Sequence, residues 1–302
     1  MRLISYGNGG TRVGLLGDDT DVHDVVLDDR VWAGDLGSLL LACSGDSGRL
    51  RSSDAVVARL SDIVLSAPSP RPSKVIAAPV NYRDHMTEMN EASSIDALGL
   101  FLKAPSSLVG EGATVRLPYH DRRFDQEGEL ALVIGRTARD ASVESAGSHV
   151  FGYSCLLDIT MRGGEDRSTR KSFDSFTPMG PWLVTADEVG DLDDLQLVCS
   201  VNGQVRQDAD VRDLLWNVPA LVSYASSVMT LLPGDVISTG TPAGVGRICG
   251  GDSVSVTITR VGTLSVVVDD VGARICPTSG AGRGPVPPAE QTPVRVRAQH
   301  LG

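Results

Sequence analysis

The chain has 302 residues, 41% of them hydrophobic, with a formal net charge of −11, so it is long enough to bury a substantial core and reads as an ordinary globular protein. No cluster of Lys and Arg offers a footprint for phosphate, and nucleic acid is excluded as a partner on that ground. No apolar run approaches the roughly 20 residues that span a bilayer, and Met1 to Gly10 lacks the layout of a signal peptide, so the expectation is a cytoplasmic protein with no membrane partner. Cys43, Cys155, Cys199, Cys249 and Cys276 are scattered, odd in number and without C-x-x-C spacing, which points to free thiols in a reducing compartment.

In chain order, RLISYGNGGTRVGLL alternates apolar and polar residues around an Asn-Gly-Gly turn and predicts a hairpin, and DVHDVVLD adds a short strand. Helical patterns follow at Leu36 to Cys43 and at Ser53 to Leu60. The Pro/Ser-rich SAPSPRPS then marks a boundary between a small N-terminal α+β domain, 1–70, and a larger domain, 71–276. The larger domain is mostly β, carrying short runs such as LALVIG, QLVCSVN, DVIST, DSVSVTIT and LSVVVDD between Gly, Asp and Pro turns. One helix is expected from about Asp210 to Thr230, stopped by Pro233-Gly234. The segment 277–302, rich in proline and glycine and poor in large apolar residues, reads as a disordered tail. The fold class is therefore mostly β with α, of the α+β kind.

Five segments carry candidate chemistry. In DQEGELALVIG, side chains two apart on a strand share a face, which sets the Glu127 and Glu129 carboxylates about 7 Å apart, close enough to want a cation. With a third carboxylate and water, such a pair suits Mg²⁺, Mn²⁺ or Ca²⁺ rather than zinc; alone, it could equally be the solvated face of an amphipathic strand. An apolar run in GYSCLLDITMRG delivers Asp158 to a strand end, where a turn or an N-cap is the plainer alternative. His85 and Glu88 stand three apart in NYRDHMTEMN, so a helix would bring the carboxylate within reach of the imidazole and make a general base, unless the pair is incidental on a surface helix. Lys171 precedes an alternating Ser-Phe-Asp-Ser-Phe pattern read as a strand, and half-buried it wants an anionic partner, a substrate or a neighbouring Asp. STGTPAGVG leads a strand into a Gly-rich turn at Thr241 whose N–H groups could nest an anion.

Taken in order, NYRDH..E, FLK.PSS, EGELALVIG, LDIT.R, KSFD.F.P.GPWLV, VNG...Q and STGTPAGVG, from about Lys74 to Val268, make the chain similar to the fumarylacetoacetate hydrolase family, on its acylpyruvase and 2-hydroxyhepta-2,4-diene-1,7-dioate isomerase side. The resemblance implies a mixed β-roll with the site at its mouth, a homodimer, and Mg²⁺ or Mn²⁺ (Ca²⁺ in some members) on Glu127, Glu129 and Asp158. It further implies His85 and Glu88 as a dyad on a lid helix and Lys171 as a catalytic lysine. Arg162, Thr241 and Tyr82 become candidates for substrate binding. The expected activity is hydrolytic carbon–carbon cleavage of an acylpyruvate or related β-dicarbonyl acid, with isomerisation or decarboxylation of a 2-hydroxymuconate-type diacid as its competitor and a catalytically silent binding protein on the same fold as the alternative of another class. The chain departs from the common pattern at MRGGEDRSTRKSF, which is short where many hydrolases carry Asp-x-Gln and a longer lid.

Overall fold

The computed structural model describes residues 1–18 and 20–288. The expected hairpin is present as Arg2–Tyr6 and Arg12–Gly17, followed by the strand Asp21–Leu27 and the helix Leu36–Ala42, which Asp35 caps by accepting from the Ser38 N–H. Residues 53–59 are not helical but belong to the strand Leu50–Arg59, which pairs with Asp21–Leu27, and Leu60 opens a single 3-10 turn, Leu60–Asp62; a free sheet edge supplies hydrogen bonds that the weak helical pattern cannot match.

Among the described residues the strands form one 13-stranded sheet, one of five strands and one of three. Gly128–Ile134 and Val150–Leu157, buried along their whole length, pair at the centre of the large sheet. Because side chains alternate, Leu130, Leu132 and Ile134 enter one core while Ala131 and Val133 enter a second on the opposite face. The first core is completed by Leu197, Cys199, Val254, Val256, Leu264 and Val266 from the five-stranded sheet. The second holds Leu3, Leu15, Leu36, Leu39 and Leu40 from the N-terminal segment. Each fully buried leucine or isoleucine here contributes on the order of 1.5–3 kcal/mol. The N-terminal strand joins the large sheet directly, with Leu3 opposite Leu183.

Two further expectations are corrected. The strand Gln204–Asp210 continues through the position where a helix was expected to start, and the helix itself is Val218–Val228, begun by Asn217, which accepts from the Ala220 N–H. Residues 172–176 form a turn, with the following strand starting at Thr177, and side chains instead of a ladder meet this stretch, Ser172 Oγ accepting from the Ala104 N–H and Ser175 Oγ from the Arg116 N–H. Where composition reads disorder after Pro277, residues 277–288 are hydrogen-bonded to the body of the protein: Arg122 Nη2 donates to the Thr278 carbonyl at 2.8 Å and the Gly164 N–H to the Gly280 carbonyl at 3.0 Å. The rest of that expectation falls on 289–302, outside the described residues.

Candidate active site

The register of the central strands builds the site. Gly128 stands opposite Leu157, so the next antiparallel pair is Glu127 with Asp158, and the Asp158 N–H donates to the Glu127 carbonyl at 2.8 Å. Glu129 follows one residue beyond Gly128. One carboxylate oxygen from each of Glu127, Glu129 and Asp158 lies within 4.8 Å of the other two, and all three residues are buried.

Their neighbours differ. Lys171 Nζ donates to Glu127 Oε2 at 2.7 Å, Asp158 Oδ2 at 2.5 Å and Thr160 Oγ1 at 2.6 Å, which engages all three ammonium protons. Lys103 Nζ bonds Asp158 Oδ1 and the Phe176 carbonyl. Arg162 reaches Asp125 through Nε at 2.6 Å and Glu127 Oε1 through Nη2 at 2.8 Å. Burial works against the Glu127 charge, yet Lys171 and Arg162 hold its carboxyl well below the usual range. Among the described residues Glu129 has no cation in hydrogen-bonding contact and accepts only from Ser238 Oγ and the Gly240 N–H. Burial, reinforced by Asp158, pushes its carboxyl up to about 8. An all-oxygen donor set whose least compensated member resists ionisation fits a hard divalent cation, which would relieve that repulsion.

The helix Arg83–Glu88 brings the dyad together as its spacing predicts, His85 Nδ1 lying 3.0 Å from Glu88 Oε2. The other Glu88 oxygen accepts from the Gly244 N–H at 2.9 Å. His85, Met89, the three carboxylates, Arg162, Arg167, Arg170, Lys171, Thr241 and Pro285 line one cavity. The expected anion nest in the STGTPAGVG turn is occupied by the chain itself: Gly240 binds Glu129, Gly244 binds Glu88 and the Gly246 N–H binds Gln126 Oε1. At Gly240, φ is +93° and a Cβ would stand 2.8 Å from the Asn81 Cβ, so only glycine fits that role.

Thr241 reaches the cavity wall, with its hydroxyl donating to the Gly128 carbonyl at 2.9 Å and accepting from Gln207 Nε2 at 2.7 Å. Tyr82 does not: it is 1% exposed, is absent from the cavity wall, and its hydroxyl has no partner among the described residues. Its place beside Leu214, in an isolated bridge, explains the difference. Sequence reasoning did not single out Lys103, Ser238 or Gln207. Lys103 stands in the quoted FLK.PSS block and Gln207 in VNG...Q, but nothing local reveals that Lys103 meets an aspartate 55 residues away.

Fold and site together define a β-rich enzyme that presents a buried oxygen-ligand cradle and a histidine–glutamate pair to one cavity. The chain belongs to the fumarylacetoacetate hydrolase family, since residues 74–269 match the family described as fumarylacetoacetate (FAA) hydrolase C-terminal. It is 47% identical over 229 residues to a maleylpyruvate hydrolase of Aquipseudomonas alcaligenes, a match covering 72% of this chain and 80% of that protein. The crystal structure of maleylpyruvate hydrolase from Sphingobium sp. SYK-6 in complex with manganese(II) ion and pyruvate superposes with a TM-score of 0.73 at 37% identity, covering 89% of this chain and 99% of that one. A 5-carboxymethyl-2-hydroxymuconate delta-isomerase of Mycobacterium smegmatis gives a TM-score of 0.73 at 34% identity, covering 89% and 100%.

Proposed function

We propose that the protein is a divalent-metal-dependent hydrolase that cleaves a carbon–carbon bond in an acylpyruvate-type acid. The observation that carries this reading is a His85–Glu88 pair, fixed by the Gly244 N–H, on the same cavity as the three carboxylates. Glu127, Glu129 and Asp158 would hold Mg²⁺ or Mn²⁺, which supplies Lewis-acid polarisation of substrate oxygens when bound. With Glu88 accepting from Nδ1–H, His85 keeps Nε2 free to take a proton from water, and that water attacks the distal carbonyl. The bond to the neighbouring carbon breaks, its electron pair leaves as an enolate, and the proton held on His85 returns to the departing carbon.

Lys171 holds Glu127 and Asp158 in place and would reach a developing enolate only by giving up one of those bonds. Arg162, engaged by Asp125 and Glu127, orients the cradle and presents its remaining edge to a substrate carboxylate. Thr241 shapes the wall through Gly128 and Gln207. The helix Arg83–Glu88, through His85, and Pro285 stand on the wall of the same cavity as the three carboxylates. Isomerisation is the second reading, favoured by the similarity to the M. smegmatis isomerase.

The test is to incubate the purified protein, with and without chelator, with acylpyruvates, oxaloacetate and 2-hydroxymuconate-type acids and to follow products by mass, using Glu127→Ala as control. Splitting of substrate that vanishes with chelator and in the variant supports hydrolysis. Unsplit isomer or loss of carbon dioxide alone would remove the hydrolytic role of His85 and Glu88. The reading extends to residues 71–276 as the catalytic unit, with 1–70 appended to its sheet, a division that the matched span 74–269 supports. It also takes in a cytoplasmic homodimer: five free cysteines, four of them buried, suit a reducing compartment, and the family resemblance suggests the dimer, which light scattering would test.

A further inference from the structure

The match to the family ends at residue 269, but the cavity wall reaches beyond it. Pro285 stands on that wall, and every other residue of the wall falls within 74–269. The segment that delivers it, 277–288, contains no helix or strand, and all of 277–286 except Gly280 is exposed. It is nevertheless closely fitted to Gly163–Glu165, the stretch leading into the helix Arg167–Arg170. The Gly164 N–H donates to the Gly280 carbonyl at 3.0 Å. A Cβ at Gly284 would stand 2.4 Å from the Gly163 carbonyl oxygen, and one at Gly164 would stand 2.9 Å from Arg283 Cβ, so the two segments approach at a distance that only glycine allows.

Two adjacent arginines tether the segment at its ends. Arg122 Nη2 donates to the Thr278 carbonyl at 2.8 Å and to Glu165 Oε1 at 2.6 Å. Arg123 Nη1 donates to the carbonyl of the buried Pro287 at 3.4 Å, while its Nε donates to Asp125 Oδ1 at 2.7 Å. Asp125 also accepts from Arg162, which bonds Glu127, so a continuous line of side chains joins the segment to the carboxylate cradle. Exposed backbone held by a glycine contact and a few polar tethers, without ladder or helical bonds, belongs to the part of a fold that opens most readily.

We propose that residues 277–288 are a strap that gates the cavity: docked on Gly163–Glu165 it closes the wall at Pro285, and it lifts to let ligands pass. The inference rests on the reading of this cavity as a metal and oxo-acid site, and adds to it a moving part from outside the span matched to the family.

The experiment is a reversible lock. A disulfide spans about 3.8 Å between Cβ atoms, so Gly164→Cys combined with Arg283→Cys can bridge the 2.9 Å contact if the segments part by about 1 Å. Uptake of Mn²⁺ by the apo protein, and its release to chelator, are timed by the electron paramagnetic resonance of free Mn²⁺, with oxidant-treated wild type as the control for the native cysteines. Oxidation of the double variant should slow uptake and release alike by about tenfold or more, leave Kd within about threefold, and be undone by reductant, because a closed gate changes passage and not the cradle. Unchanged rates on oxidation overturn the gate, and so does a loss of affinity without slowing, which would mean a distorted cradle. Gly284→Val should lift the strap by overpacking it against Gly163, and trypsin should then cut after Arg283 about tenfold faster than in the wild type; equal cutting overturns the docking. If the wild type binds no Mn²⁺, the cradle reading falls and the gate with it. A working gate on a protein that splits no acylpyruvate would remove the hydrolase reading alone.

Discussion

Replacing Glu88 by Gln tests the general-base reading with little change of shape. In the wild-type protein one Glu88 oxygen lies 3.0 Å from His85 Nδ1 and the other accepts from the Gly244 N–H. A glutamine can satisfy both neighbours only by turning its carbonyl to Gly244 and its NH₂ to His85. Nδ1 must then accept, the ring proton moves to Nε2, and the nitrogen that should take a proton from water is blocked. Both hydrogen bonds survive in altered form, so stability should change by about 1 kcal/mol or less. General-base catalysis is worth roughly 10²–10⁴-fold, equivalent to about 2.7–5.4 kcal/mol at 1.36 kcal/mol per factor of ten. Steady-state kinetics on the best cleaved acylpyruvate should therefore show kcat reduced by that factor, with KM and manganese affinity within about threefold of wild type. A Glu88→Gln enzyme with kcat within threefold of wild type would refute the role given to the dyad.

Three other outcomes follow from the same geometry. Lys103→Met removes a fully buried partner of Asp158 and should cost about 3 kcal/mol, the low end for breaking a buried pair because Lys171 still holds Asp158; a loss under about 1 kcal/mol in urea unfolding with chelator present would contradict that accounting. Cys249 is exposed while burial pushes the Cys155 and Cys199 thiols up to about 12 and Cys43 and Cys276 are buried, so a thiol reagent at pH 8 should label one cysteine in the native protein and five after unfolding. Partial burial works against the Glu165 charge, but the Thr278 hydroxyl and Arg122 hold its carboxyl at about 2. Its folded value lies below its unfolded one, about 4.3, so the stabilisation is complete above that pH and fades as pH falls towards 2. The difference in urea midpoint between wild type and Glu165→Gln should accordingly be larger at pH 6 than at pH 2.5, and a difference that grows in acid would reverse the sign of the argument.

The sequence by itself determined what local periodicity can encode. The three-residue spacing of His85 and Glu88 on a helix fixed those side-chain directions before any tertiary contact formed, whereas Glu127 stands in the one-residue break between the strands Phe124–Gln126 and Gly128–Ile134, so strand spacing alone does not aim it beside Glu129. The apolar run ending at Asp158 likewise gave a buried strand with a carboxylate at its tip. Tertiary structure decided everything that depends on which strand lies beside which. The strand at 50–59 exists because an edge was open to it, Tyr82 was withdrawn from the cavity, and Lys103 was sent to Asp158. The Gly244 N–H, 156 residues from Glu88, was spent on that carboxylate instead of a ligand. Such pairings are chosen by the burial and hydrogen bonding of the whole sheet, terms that no short window of sequence contains.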